Sequence, residues 1–357
     1  MAATLSDVAA RAGVSIKTVS NVIHSYPHIR PETKQRVLDA ISQLDYRPNL
    51  NARNLRSGRT GVIGLVVPSL RNPYFSELAA AVIDAADHTG ISVLIEQSTN
   101  AVQSTNAAQS TNTAQSTNAA QSGQSEPGRA TKTQLVDGVL YSVRTPGHDD
   151  TGLYAQVTSA ATGHRDESAP IDHVTMRNTE AIKAATEHLL ALGRTRIAVV
   201  GARPGAEAGA ASLRMLGYQQ ALASAGIEID PSLVRQADRW TRFDGALATQ
   251  ALIDDGVAFD GIVGFNDSLA LGALRVLGEN GIRIPDEVSV IGFDDLDESR
   301  YSLPALTTIS PGREQIAALA VEMLMERLSA RDSVIEPREI SVPFTLVERE
   351  STARVSS

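Results

Sequence analysis

Residues 5–49 read LSDVAARAGVSIKTVSNVIHSYPHIRPETKQRVLDAISQLDYRPN, and the spacing of their apolar positions decides what the first part of the chain is. Thr4 stands three residues ahead of Asp7, the spacing of a capping box, and Leu5, Val8 and Ala9 then share one face up to Gly13. A short first helix is predicted there. Ser15 can cap a second helix, with Val14 before it as a hydrophobic staple and Val19, Val22 and Ile23 turned inward. Pro31 suits the first position of a third helix, where its missing N–H costs nothing, and Val37, Leu38, Ile41 and Leu44 are its expected buried stripe. Pro48 closes it.

Two short helices across a glycine turn form a helix-turn-helix head, which lays its second helix in the DNA major groove. With Val19, Val22 and Ile23 inward, Ile16, Lys17 and Asn21 face outward. Lys17 can donate to guanine O6 and N7, Asn21 can pair with adenine, and Ile16 can meet a thymine methyl. Thr18 and Ser20 are better suited to phosphate, and His28 in the following loop joins the expected DNA-binding set.

Charge agrees with this division. Residues 1–60 hold nine Lys and Arg against four acids, a net of +5, so with −9 over the whole chain the remainder carries −14. A basic head on an acidic body is the footprint of a protein that touches phosphate with one end only. There is no cysteine, which excludes disulfides, thiolate catalysis and cysteine–zinc sites. The N-terminus lacks a basic region followed by a long apolar run, and no stretch has the ~20 apolar residues that a membrane helix needs. A cytoplasmic protein with no membrane partner is expected.

Residues 49–60, NLNARNLRSGRT, are polar around a lone Leu55 and read as a linker of marginal helical capacity. From Gly61 on, apolar runs alternate with amphipathic segments: strands at 61–68, 92–97, 137–142, 196–202, 260–266 and 288–294, and helices such as 74–88, 179–192, 212–225, 244–255 and 267–279. This alternation predicts an α/β body of two doubly wound parallel-sheet subdomains. Residues 97–121 break it with the polar hexapeptide QSTNAV, QSTNAA, QSTNTA, QSTNAA, which has no apolar stripe and is expected to be disordered.

The run DVAARAGVSIKTVSNVI, followed by TKQRVLDAISQLDYRPNLNARNLRSG, resembles the head and hinge of the LacI/GalR (lactose-repressor) family of transcriptional regulators nearly end to end. The resemblance implies a head at 1–48, a hinge helix at 49–60 and an effector-binding and dimerisation domain at 61–357 like the type I periplasmic binding proteins. Its N-subdomain is expected at about 61–158 and 309–331 and its C-subdomain at about 159–308 and 338–350, with the disordered repeat across 97–130. It further implies that Ala52, Arg53 and Leu55 belong to a hinge that orders on operator DNA, with Leu55 wedged into the minor groove.

In open α/β sheets ligands gather outside the carboxyl ends of strands. NPYF (72–75), SLRMLGY (212–218), Trp240, FND (265–267) and GFDD (292–295) fall at such places. The resemblance assigns effector contact to Asn72, Tyr74, Phe75, Arg214, Trp240, Asn266 and Asp294. The bland readings are Phe75 as core, Asp294 as a strand-end cap and Asp267 as a helix N-cap. The resemblance is poor between 97 and 178: no second helix and strand of the family type follow DGVLYS, and Arg177 stands where the family usually has an aspartate. The expected function is operator binding by a homodimer, as a repressor controlled by a small metabolite of the sugar class. No cofactor, metal or catalytic residue is implied, since GxSxG, HExxH, Walker A and GxGxxG are all missing. A solute-binding protein or an α/β enzyme without a DNA role are the competing readings, and a basic helical head has no use in either.

Overall fold

The computed structural model describes residues 3–23, 26, 29–44, 46, 60–97, 136–142, 152–157, 171–203, 209–330 and 335–354. The chain divides into two compact units, Met1–Thr60 and Gly61–Ser357.

In the first unit three helices form, α1 (Leu5–Ala12), α2 (Ile16–Ile23) and α3 (Pro31–Gln43). The Thr4 hydroxyl accepts from the Asp7 N–H while Asp7 accepts from the Thr4 N–H, so the capping box predicted from spacing closes both ways. These bonds hold the Asp7 carboxyl below its ordinary value. Gly13 ends α1 at φ 65°, a left-handed conformation that a side chain would oppose. Val8, Ala9, Ala12, Val19, Val22, Val37, Ala40 and Tyr46 make a small closed core. Leu38 is a correction: it is 42% exposed, and Ala40 takes its place in the buried stripe. On a helix the neighbour of Val37 is rotated about 100° away from the face that 37, 40, 41 and 44 share.

The second unit holds two six-stranded sheets. Its elements in chain order are β1 (Val62–Val67), α4 (Pro73–Asp87), β2 (Ser92–Gln97), β3 (Gly138–Tyr141), β4 (Leu153–Val157), β5 (Asp172–Met176), α5 (Asn178–Ala191), β6 (Ile197–Ala202), α6 (Ala210–Ser224) and β7 (Val234–Gln236). There follow α7 (Arg242–Asp254), β8 (Gly261–Gly264), α8 (Asp267–Glu279), β9 (Ser289–Phe293), α9 (Asp297–Tyr301), β10 (Thr307–Ser310), α10 (Arg313–Ser329), β11 (Glu339–Val342) and β12 (Thr345–Val347). The first sheet runs β11-β5-β4-β3-β1-β2 and the second β12-β10-β9-β8-β6-β7. Every described strand of β6, β8 and β9 is buried along its whole length, which is why these segments read as continuous apolar runs rather than alternating ones.

Two expectations change. The sheets are mixed: β4 runs antiparallel to both β3 and β5, and β12 antiparallel to β10. A strand occupies 153–157 where the family pattern leads one to expect a helix and an apolar strand, and its LYAQV sequence gives only a brief signal for it. The subdomain boundaries also move. β5 and β11, expected in the C-subdomain, pair with each other at the edge of the first sheet, and β10, whose last two residues were expected in the N-subdomain, belongs to the second. The chain therefore passes between the sheets after β5, after β10 and after β11. Backbone pairing decides membership here, and nothing local in DHVTM or EISV specifies it. The expected hinge at 49–60, His28 and the repeat across 97–130 lie outside the described residues, apart from Gln97, the last residue of β2, and Thr60, just before the second unit. No described helix is long and apolar enough to cross a membrane.

Candidate functional site

The start of α2 is exposed on the first unit. Ile16 is 52% exposed and Lys17 is exposed beside it, while Ser20 and Asn21 are half-buried on the same side. Val19 and Val22 point the other way into the core, so the outward set expected from periodicity is brought together. Thr18 differs. Its N–H donates to the Ser15 hydroxyl at 3.1 Å and its own hydroxyl shares a hydrogen bond with it at 2.9 Å, so it works in the cap of α2. Arg11 clamps α1 to α3 by donating two bonds to the Gln43 side-chain Oε1 at 2.9 and 2.7 Å, an anchor that the sequence did not reveal.

In the second unit the expected effector residues converge where strands of both sheets end. Asn72 caps α4, its Oδ1 accepting from the Tyr74 N–H at 3.1 Å. Tyr74 and Phe75 meet edge to face with 5.3 Å between ring centroids. The Tyr74 side chain is buried, and among the described residues its hydroxyl oxygen has no hydrogen-bond partner. Burial pushes the phenol above its ordinary range, with Asp294 adding to the push and Arg214 and Arg313 opposing it.

Arg214 on α6 is 4% exposed and strongly held. Its Nε donates to Asn178 Oδ1 at 2.8 Å, one terminal nitrogen donates to the Phe265 carbonyl, and the other approaches the Met176 sulfur at 3.6 Å. Trp240, at φ 53°, lies with its ring centroid 5.2 Å from the Arg214 guanidinium and donates from Nε1 to the Gly201 carbonyl at 2.9 Å. Asn266 caps α8, accepting from the Leu269 N–H at 2.9 Å and donating to the Trp240 carbonyl at 3.1 Å. Both asparagines thus have a capping role.

Asp294 follows β9 at φ 126° and is 4% exposed. Burial raises its pKa well above the usual range while Arg214 pulls the other way. Asp267 is not the cap of α8 but its first residue. It is fully buried and accepts from the Leu296 N–H at 2.9 Å, the Ser299 hydroxyl at 2.7 Å and the Thr308 hydroxyl. A Cβ on Gly292 would lie 2.2 Å from its Oδ1, so only glycine lets β9 pass. Burial outweighs these donors and lifts the Asp267 carboxyl to about 6. Arg177, exposed at the start of α5, lines a cleft of about 570 Å³ with Tyr154, His173 and Glu339. Sequence reasoning missed Asn178, Phe293, Glu77 and Arg313, because each acts through a partner distant in the chain.

Residues 4–49 match the family of bacterial regulatory proteins, lacI family, and residues 186–352 match the periplasmic binding protein-like domain. The chain is 31% identical over 363 residues to the HTH-type transcriptional regulator DegA of Bacillus subtilis, covering 100% of both sequences. The chain belongs to the lacI family. It is a helix-turn-helix DNA-binding regulator of transcription with a two-sheet body of the periplasmic-binding-protein kind. Among solved structures, this lacI-family chain is similar to a LacI-type transcription regulator from Bifidobacterium animalis subsp. lactis, with a TM-score of 0.64 and 31% identity over 82% of this chain and 99% of that one. It is also similar to the transcriptional regulator CelR in complex with cellobiose, with a TM-score of 0.62 and 25% identity over 98% and 99%.

Proposed function

We propose that this lacI-family regulator is a homodimeric repressor that acts in the cytoplasm without catalytic chemistry, and that a small neutral metabolite of the sugar class sets its operator affinity. Ile16, Lys17 and Asn21 read base edges, Ser20 and His28 position the head on phosphate with Thr18 steadying the cap of α2 beside them, and Ala52, Arg53 and Leu55 form the hinge. Asn72, Tyr74, Phe75, Arg214, Trp240, Asn266 and Asp294 line the effector site.

The observation that carries the effector reading is the buried Tyr74 hydroxyl, without a hydrogen-bond partner among the described residues, together with the Asp294 carboxyl, whose pKa burial raises. A buried polar group costs about 1–3 kcal/mol when unsatisfied, so the Tyr74 hydroxyl beside a carboxyl acceptor is suited to a ligand rich in hydroxyls. The half-buried indole of Trp240 offers an apolar face beside them. The complex of CelR with cellobiose adds a ligand class for a relative of the same architecture.

The test begins with genomic fragments selected on the full-length protein, followed by anisotropy on the recovered duplex while neutral sugars, cellobiose first, are added. A palindromic site whose occupancy shifts with one sugar is the expected result. Selection that returns no common sequence overturns the operator reading. A site unmoved by neutral sugars but moved by a sugar acid or sugar phosphate overturns the ligand class alone.

A further inference from the structure

Glu77 on α4 and Arg313 on α10 sit on helices packed against the first sheet, and they are ion-paired with 2.8 Å between Oε2 and a guanidinium nitrogen. Their side chains are only 26% and 12% exposed. Each also reaches out of its own subdomain, and both reach the same four residues. Arg313 donates to the Asp294 carbonyl at 3.0 Å, and the other Glu77 oxygen accepts from the Asp297 N–H at 3.2 Å.

Those two backbone groups are the carbonyl of residue i and the N–H of residue i+3 of the connection between β9 and α9. They are the pair that bonds directly in an ordinary four-residue turn. Here the ion pair stands between them as donor to one and acceptor from the other. The connection needs such support, because Asp294 and Asp295 are consecutive non-glycine residues at φ 126° and 51°. Conformations of this kind cost on the order of 1–3 kcal/mol each and persist only when the surroundings hold them. From its own side the connection is held by Arg349 on the Asp295 carboxylate and by Asp267 on the Leu296 N–H.

We propose that Glu77 and Arg313 are positioning residues that grip residues 294–297 from across the cleft, set the direction of the Asp294 carboxyl and tie its posture to closure of the two subdomains. The importance of Asp294 rests on the effector site proposed above; the grip itself does not. When the cleft opens, both cross-subdomain bonds break together, since the same ion pair makes both. When a ligand holds Asp294, the pull passes through the Arg313 guanidinium to α10 and through Glu77 to α4. The energy involved is a differential contact between two states, which is what coupling between sites requires.

The chain carries its own reporter, since Trp240 is the only tryptophan, sits in the cleft on the second-sheet side and touches neither Glu77 nor Arg313. Acrylamide quenching of Trp240 is measured on the full-length protein without any effector, for wild type, Glu77→Ala, Arg313→Ala and the double variant. Glu77→Gln serves as a milder change, keeping an acceptor for the Asp297 N–H while losing the ion pair. Far-UV circular dichroism confirms folding. The expected result is a quenching constant raised about two-fold in either single variant, no further rise in the double, and a smaller rise in Glu77→Gln. Unchanged quenching in folded single variants overturns the proposal, with Arg349 and Asp267 then sufficient for the connection. Single effects that simply add in the double variant overturn it as well, because they mean that the two residues act separately. If quenching behaves as expected but no effector response depends on Asp294, the grip stands and the effector reading fails.

Discussion

The guanidinium carbon of Arg214 lies 3.6 Å from the centroid of the Phe293 ring. The charge is therefore stacked on the last residue of β9, one position before Asp294, while its nitrogens are engaged by Asn178, the Phe265 carbonyl and Met176. A cation so placed acts on the cleft mainly by fixing its floor and by favouring the ionised form of Asp294.

Replacing Arg214 consequently does two things. Arg214→Met keeps the apolar cover over Phe293 but leaves the Phe265 carbonyl and Asn178 Oδ1 without their donor, and a loss of about 2–4 kcal/mol of stability is expected from urea unfolding. Effector response should vanish as well. Wild-type stability in this variant would show that the guanidinium is spent on ligand rather than on the fold.

On the DNA side, Lys17→Ala and Asn21→Ala should each relax preference at one base pair per half-site by about 1–3 kcal/mol, read by competition among single-base variants of the operator. Because Thr18 is tied into the cap with Ser15, Thr18→Ala should instead lower the thermal stability of the head by roughly 1 kcal/mol. Equal losses on every sequence for Lys17 and Asn21 would assign them to phosphate.

Dimer formation has a testable surface on the second subdomain. Phe243 and Leu247 lie one turn apart on α7, 69% and 55% exposed, and the salt bridge from Arg242 to Glu298 ties α7 to α9, at whose end Tyr301 and Leu303 are 78% and 93% exposed. Apolar exposures this large on an acidic body are expected to be covered by the second protomer. Leu247→Glu should shift sedimentation toward monomer and weaken operator binding, with the head still folded. A dimer unchanged by both Leu247→Glu and Phe243→Glu would place the contact elsewhere.

Stability should depend on pH through Asp267. Its folded-state carboxyl is raised from 3.8 to about 6, so its contribution is complete below the ordinary carboxylate range and is lost as the pH rises through 6. The loss between pH 4 and pH 7 is about 2 kcal/mol by the usual conversion of proton affinity to free energy. Asp294, also raised by burial, works in the same direction. Carbon-13 titration of the carboxyl signals should show a midpoint near 6 that disappears in Asp267→Asn. A midpoint near 4 would mean that the donors from Leu296, Ser299 and Thr308 offset burial.

The head was legible in the chain because its information is local. Thr4 and Asp7 are three residues apart, Gly13 marks a left-handed turn, and Val19 and Val22 define one face by spacing alone. The strands of the second sheet were legible for a related reason, since burial on both sides leaves uninterrupted apolar runs in VVGA, GIVG and SVIGF. The family pattern then marked residues for the cleft, and Arg214, Trp240, Asn266 and Asp294 are indeed neighbours in space, joined through Phe293, Phe265 and the Trp240 carbonyl.

Only the tertiary structure decided what depends on pairing between distant segments. Nothing in DHVTM or EISV specifies that β5 and β11 lie together on the first sheet, because a strand's partner is set by the packing of the whole sheet. Asp267 reads as an N-cap in the sequence, yet the fold buries it against three donors, from the β9–α9 connection, α9 and β10, where burial rather than position governs its charge. Glu77, Arg313 and Asp294 carry no signal of association along the chain. Their meeting follows from closure of the two sheets, since contacts among residues 77, 294 and 313 exist only once the long connections between them are folded.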